Sequence, residues 1–546
     1  MKVLKMKIQT NLDKKANYYT EQTFTSKINY SKKHFGRLTA LSSGVSAPKK
    51  IGRSKEINYE KFVKDFESKY IDYSKSDWEY RITNNIWAGL KSYIYAIRYK
   101  NFINKKENRE NYIKLYGQND IKFENIFVRF INIFKQLQIA IYSHIARKKE
   151  LNKTGIIDGK KVSQEEISDI IAYEKDPALR RKALNAKFKM GDALRNYIVN
   201  VVTKRNSSAQ ALNQKSYFDL VLKSNYKIDS ETFKNNLNTI YLALKPEIDE
   251  ASEETNEELK KIFQTNWLEH YHYDLKVCSD EFKIFNEAIA KFGIIPLTKR
   301  IFSKMGFDID KLINDGVLIL NEDKTKKNAC HMPIMPAKQS AICTSQSNNF
   351  NDLLTLCHEL GHAMYNLGIS QSLPLCMKKS PSKAINEAIA YIMQDVVINE
   401  DVLADIVPAK VLEKIRKIYR NEQLIKIAKI FAINEFEQEM YSNPKQDLAK
   451  LWQEKMKKYT GCNYAASNEW ATLNYFICAP VHSHNNIKAK LISIQLYKHL
   501  KEKLGNLTEN METAKYLVEN IFSKGASMSE SELLYEILGK RIFPLY

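Results

Sequence analysis

Along most of the chain the apolar positions recur every three to four residues, the repeat that lines one face of an α-helix. The stretches ENIFVRFINIFKQLQIAIYSHIARKKE, from residue 124, and AKVLEKIRKIYRNEQLIKIAKIFAINEFEQEM, from residue 409, carry it for many turns. With only 17 Gly and 12 Pro in 546 residues there is little to interrupt such runs, so a mainly α fold is predicted. Two shorter segments stand out by their lack of charge. FNDLLTLCHELGHAMYNL, residues 350–367, has only Asp352 and Glu359 as charged side chains. SKAINEAIAYIMQD, residues 382–395, places Ile385, Ile389 and Ile392 on one stripe that continues to Val396, with Glu387 as the sole charge between Lys383 and Asp395. Ser380 is expected to cap this second helix and Pro381 to occupy its first turn. The β-type runs GVLIL and SAICT, between Gly316 and Thr344, predict a small sheet just before the first of the two helices. LNKTGIIDGKKVSQE, from residue 151, reads as a polar loop between helices, and no internal repeat is present.

The spacing within HELGH, residues 358–362, sets the candidate chemistry. An α-helix turns about 100° per residue, so His358 and His362 project from one face and can offer two imidazole nitrogens to one metal ion. Glu359 then lies beside the ion, the HExxH arrangement of zinc-dependent peptide hydrolysis, in which the carboxylate takes a proton from a metal-acidified water. The competing reading is a pair of core histidines bonded to carbonyls, with Glu359 in a buried ion pair. A catalytic zinc ion commonly has three protein ligands and one open position, and Glu387 is the natural third ligand. One Zn²⁺ held by His358, His362 and Glu387, with Glu359 as general base, is therefore expected.

HELGH followed by NEAIAY resembles the active site of gluzincin metallopeptidases, in particular the clan of angiotensin-converting enzyme and thimet oligopeptidase/oligoendopeptidase. The likeness extends over ACHMPIMPAKQSAICTSQSNNFNDLLTLCHELGHAMY, from Ala329, and WATLNYFICAPVHSHNNIKAKLISIQL, from Trp470, and more weakly over the helices from Leu179. The resemblance implies an elongated helical fold with a deep central cleft and a small sheet next to the zinc helix. It also implies a peptide substrate lying antiparallel to the strand around Ala341, Ile342, Cys343 and Thr344. Groups near the APVHSHNN segment are implied to stabilise the tetrahedral intermediate. His484 is the first candidate there, then His482, with Tyr475 third. The chain departs from related sequences in having His482, Ser483 and Asn486 where those carry tyrosines, and Tyr391 where some gluzincins place a carboxylate that orients a ligand histidine. A zinc peptidase of the oligopeptidase or peptidyl-dipeptidase kind is the leading expectation. A zinc-containing peptide-binding protein with weak catalysis is the alternative, and a nucleic-acid-binding protein a more distant one.

Composition alters this picture little. Residues 1–55 are basic, acid-poor and expected to be disordered, followed by an N-terminal helical half over 56–290 and a catalytic half over 291–546. The net charge of +22 is spread along the chain and no nucleic-acid motif accompanies it, so only weak adhesion to polyanions at low salt is expected, with no specific nucleic acid. MKVLKMKIQTNLDKK lacks the apolar core of a signal peptide and no run of eighteen apolar residues exists. A cytoplasmic monomer acting on short peptides, with no membrane partner, is expected; an organellar transit peptide is the alternative for the basic start. The seven cysteines form no CxxC pair, which suits reduced thiols, and Cys357, one residue before His358, points off the metal face into the core.

Overall fold

A computed structural model describes residues 141–150 and 153–539, apart from 277–279, 323–329, 345–348 and 375–376, with isolated positions between 65 and 139. The basic arm expected over residues 1–55 lies outside the described residues. The described chain is mainly helical with a small sheet, as the periodicity predicts.

One described element corrects the sequence reading. The segment taken for a polar loop is a hairpin, β1 (Thr154–Ile157) paired antiparallel with β2 (Lys160–Ser163). Asp158 and Gly159 between them both have positive φ, 50° and 78°, the pair of left-handed residues that a two-residue turn of right-handed twist requires. Ile157 pins the hairpin into a small cluster with Ile167, Ala183, Ala186 and Met190.

The helices that follow start where side chains can satisfy their free amides. Ser163 and Glu166 form a reciprocal capping box at α1 (Gln164–Tyr173), and Asp176 caps α2 (Pro177–Gln210) with proline in its first turn. After α3 (Tyr217–Val221), α4 (Ser230–Phe263) is capped by Asp229. Three shorter helices, α5 (Asp280–Phe292), α6 (Ile294–Lys304) and α7 (Ile309–Asn314), lead to the sheet. Its strands are β3 (Leu318–Glu322), β4 (Cys330–Met335) and β5 (Gln339–Thr344), in the order β3-β5-β4. β5 is central, parallel to β3 and antiparallel to β4.

The HELGH segment lies on α8 (Phe350–Gly368), capped by Asn349. The Glu387 segment lies on α9 (Lys383–Asn399), whose cap is Ser382 rather than Ser380. Ser382 has the extended backbone a cap requires, and its hydroxyl accepts from the Ile385 amide at 3.1 Å; Ser380 donates to the Ser382 carbonyl instead, and Pro381 stays outside the helix. Ile385, Ile389, Ile392 and Val396 are all buried, as their spacing predicts. The chain continues through α10 (Ala409–Ser442), α11 (Leu448–Thr460), α12 (Tyr475–Cys478), α13 (His484–Leu504), α14 (Glu512–Asn520) and α15 (Glu530–Leu538).

Two apolar cores organise these elements, and the chain crosses between them. One joins α2 and α4 to the second half of α10, to α11 and to the stretch ending at Ile487. The other runs from Phe285 through α8 and α9, takes the first part of α10 up to Tyr419, and resumes at Ala489 in α13. Residues 427–487 thus pack with the N-terminal half, although the sequence division at 290 assigns them to the catalytic half. Among the described residues no helix is long and apolar enough to cross a membrane.

The helices α8 and α9 meet backbone to backbone. A Cβ on Gly361 would lie 2.7 Å from Ala390 Cα, so glycine is what permits the approach. On its other side α9 is tied to α13 by Lys490 with Asp395 at 2.6 Å and by Lys501 with Glu400 at 3.1 Å. Glu530 of α15 accepts from Lys488 and from the Ser382 cap, both at 2.5 Å, and so holds the start of α9.

Candidate metal centre

The contact at Gly361 carries Glu387 across from the two histidines of α8. Glu387 Oε2 lies 3.5 Å from His358 Nε2 and 3.8 Å from His362 Nε2. One donor atom from each of the three residues lies within 4.8 Å of the others, so the group could hold a metal ion. Two vertices of a tetrahedral zinc site are roughly 3.4 Å apart, given bonds of about 2.0–2.2 Å. The spacing is therefore close to what such an ion requires, and two imidazoles with one carboxylate form a donor set that zinc takes. The Glu387 side chain is 31% exposed, which leaves the group open on one side.

The surroundings set the charge states. Burial, helped by neighbouring His358, pushes the His362 imidazole down to about 4 against the opposing pull of Glu387 and Asn386. Burial on its own would raise Glu387, but its bond to His358 and the charges of both histidines bring the carboxyl below its usual range. The Nδ1 atoms of His358 and His362 are buried and have no hydrogen-bond partner among the described residues. Cys357 is fully buried beside Thr298, and burial raises its thiol to about 12, in keeping with a core residue.

Glu359 accepts a hydrogen bond from the His331 amide of β4 at 2.7 Å. Burial raises its carboxyl to about 7, with Glu387 adding to the rise and with His358 and the His331 amide opposing it. His331 also brings its ring to 5.8 Å from that of His362, while its Nε2 meets the Ser340 hydroxyl at 3.0 Å. Sequence reading passed over His331, because a lone histidine in a strand has no spacing relation to HELGH; only its place just upstream of the helix hinted at it.

Of the three residues singled out near APVHSHNN, the two histidines both lie against Tyr226. His484 is fully buried, its ring edge-on to Tyr226 at 4.7 Å and to Phe233 at 5.0 Å, and burial pushes it down to about 3. His482 bonds through Nδ1 to the Tyr226 hydroxyl at 2.9 Å and feels Lys383. Tyr475 is the one whose ionisation Glu387 opposes. Burial raises it first, the Glu387 charge raises it further, and a hydrogen bond with Asn486 lowers it. Tyr475, ranked third from the sequence, is thus the candidate that feels the charge of the metal group.

The expected peptide-binding strand also needs correction. Ala341, Ile342 and Cys343 of β5 pair with β3 on one side and β4 on the other, and Thr344 pairs with β3. A central strand has no free edge for a peptide. Among the described residues, the strand that meets Glu359 and is paired on one side only is β4.

Arg205 and Glu437 hold the segment that follows Tyr475. Arg205 of α2 donates to the carbonyls of Phe476 and Ile477, the latter at 2.8 Å. Val481, β-branched and fully buried, has φ of 58°, a conformation that costs about 1–3 kcal/mol. Its amide donates to Glu437 Oε1 at 2.8 Å. Burial raises the Glu437 carboxyl from 4.5 to about 8, against the pull of the Val481 amide and Arg205. Between those values the folded chain holds a proton that the unfolded chain releases. The stability this group contributes is therefore complete below 4.5 and is lost as pH rises through about 8. The unfolding free energy of the wild type is expected to fall between pH 5 and 8.5 by on the order of 3 kcal/mol more than that of Glu437→Gln. Equal slopes in chemical denaturation would remove Glu437 from this role.

Comparison of the chain with protein-family models and with curated proteins gives no match, so the functional reading rests on the residues themselves.

Proposed function

We propose that this chain is a zinc-dependent peptidase that hydrolyses short unfolded peptides. The observation that carries the reading is the convergence of His358, His362 and Glu387 donor atoms within 4.8 Å, with Glu359 next in sequence to the first of them. A bound zinc ion supplies a Lewis acid that polarises a carbonyl and acidifies water. Glu359, steadied by the His331 amide, accepts a proton from the attacking water and delivers it to the leaving amine. Tyr475, oriented by Asn486, donates its hydroxyl proton to the oxygen on which charge develops, a contact typically worth about 3 kcal/mol. Taking Tyr475 for this role in place of His484 follows from the enclosure of His484 by Tyr226 and Phe233. The peptide backbone adds to the edge of β4, which gives affinity without strong side-chain demands. Because Glu359 occupies the His331 amide and Pro333 has none, the peptide mostly donates to strand carbonyls there.

Mass spectrometry of a pool of peptides of roughly 5–15 residues tests the reading. The zinc-loaded chain is expected to cleave them, to stop on chelation and to resume when zinc is returned. Tyr475→Phe should slow cleavage by about 100-fold or more, the usual loss for one oxyanion donor. Peptide binding without cleavage by the zinc-loaded wild type would replace this reading with that of a zinc-containing peptide-binding protein. Undiminished cleavage by Tyr475→Phe would keep the enzyme and discard this donor.

A further inference from the structure

An imidazole that binds a metal through one nitrogen is usually oriented by a hydrogen bond from the other. His358 Nδ1 is buried and has no such partner among the described residues. What lies against this ring instead is another ring. Tyr391, one turn after Glu387 on α9, sits with its centroid 5.3 Å from that of His358 at an interplanar angle of 66°. An edge-to-face pair at this separation is attractive and fixes relative orientation.

The Tyr391 ring is itself held. Lys490 of α13 places its ammonium 5.0 Å from the ring centroid, within range of a cation–π contact. Asp395 fixes that ammonium at 2.6 Å through Oδ2, and its other oxygen accepts from the Tyr419 hydroxyl at 2.6 Å. Gln394 Nε2 in turn donates to the Tyr419 oxygen at 2.7 Å. Lys490, Asp395 and Tyr391 are all buried, so water competes little with these contacts. Lys490 of α13, held by Asp395 of α9, which is bonded in turn to Tyr419 of α10, thus lies over the tyrosine ring that abuts a metal-ligand candidate.

We propose that Tyr391 is a positioning residue for the metal centre: its ring, steadied by the Lys490–Asp395 pair, sets the orientation of His358 by packing. This rests on the metal-centre reading of His358, His362 and Glu387. The contact is with the ring, so the hydroxyl is dispensable and the aromatic plane is not.

The test uses the full-length chain and the metals alone. Zinc affinity is measured by competition with a chromophoric chelator, and site geometry by the visible absorption of the cobalt(II)-substituted chain. Tyr391→Leu, which keeps apolar volume, is expected to weaken zinc binding by about tenfold or more and to alter the cobalt spectrum. Tyr391→Phe is expected to match the wild type in both. The double variant Lys490→Met/Asp395→Asn removes the supporting pair without stranding a buried charge, and is expected to fall between the two; it serves if circular dichroism shows that Tyr391→Leu does not fold. Wild-type zinc affinity and cobalt spectrum in a folded Tyr391→Leu, or in the double variant where that one is unfolded, would overturn the proposal. So would a Tyr391→Phe chain as impaired as Tyr391→Leu, since the hydroxyl would then be the active part. A wild-type chain that binds neither metal overturns the metal-centre reading together with this one, which separates the two failures.

Discussion

Replacing Glu387 by alanine is expected to strip most of the zinc from the purified chain, whereas the wild type should carry about one ion per molecule. Two imidazoles from one helix cannot complete a tetrahedral site. The carboxylate supplies both the third bond and the negative charge that offsets the dication, and removing it should weaken binding on the order of 1,000-fold. The fold should tolerate the change, because the Glu387 side chain is 31% exposed and the contact of α8 with α9 is made by Gly361 and Ala390. Metal analysis after dialysis, with circular dichroism as the control for folding, decides the matter. Stoichiometric zinc in Glu387→Ala would remove this residue from the ligand set.

Glu359→Gln separates the base from the ligands. The glutamine keeps the shape of the side chain, and its amide oxygen can still accept from the His331 amide, so the link between β4 and α8 survives. His358, His362 and Glu387 are untouched. Zinc content should therefore persist while peptide hydrolysis falls by at least about 100-fold, the lower end for loss of a general base. Full activity in the zinc-loaded variant would show that another group takes the proton.

The local features of this protein were legible in its sequence because they depend on residues near one another. The helical repeat fixed which face of the Glu387 helix is buried, and the four-residue spacing of His358 and His362 put both on one side of α8. The Asp158–Gly159 turn was just as local, yet the polar residues around it masked a hairpin that the dipeptide itself signals.

Contacts between distant segments were decided by the tertiary structure alone. No pattern within SAICT says that it will be the middle strand, flanked by β3 and β4, and so lack the free edge a peptide needs. Nothing in APVHSHNN says that Tyr226 and Phe233, some 250 residues upstream, will enclose His484, or that Tyr475 will come within the field of Glu387. The same holds for the two cores, between which the chain crosses within α10 and at the start of α13. Periodicity states that a face will be buried, because water rejects apolar surface wherever it occurs along the chain. Which partner covers that face depends on shape and charge matched across hundreds of residues, as when Lys490 meets Asp395 and comes to rest over Tyr391.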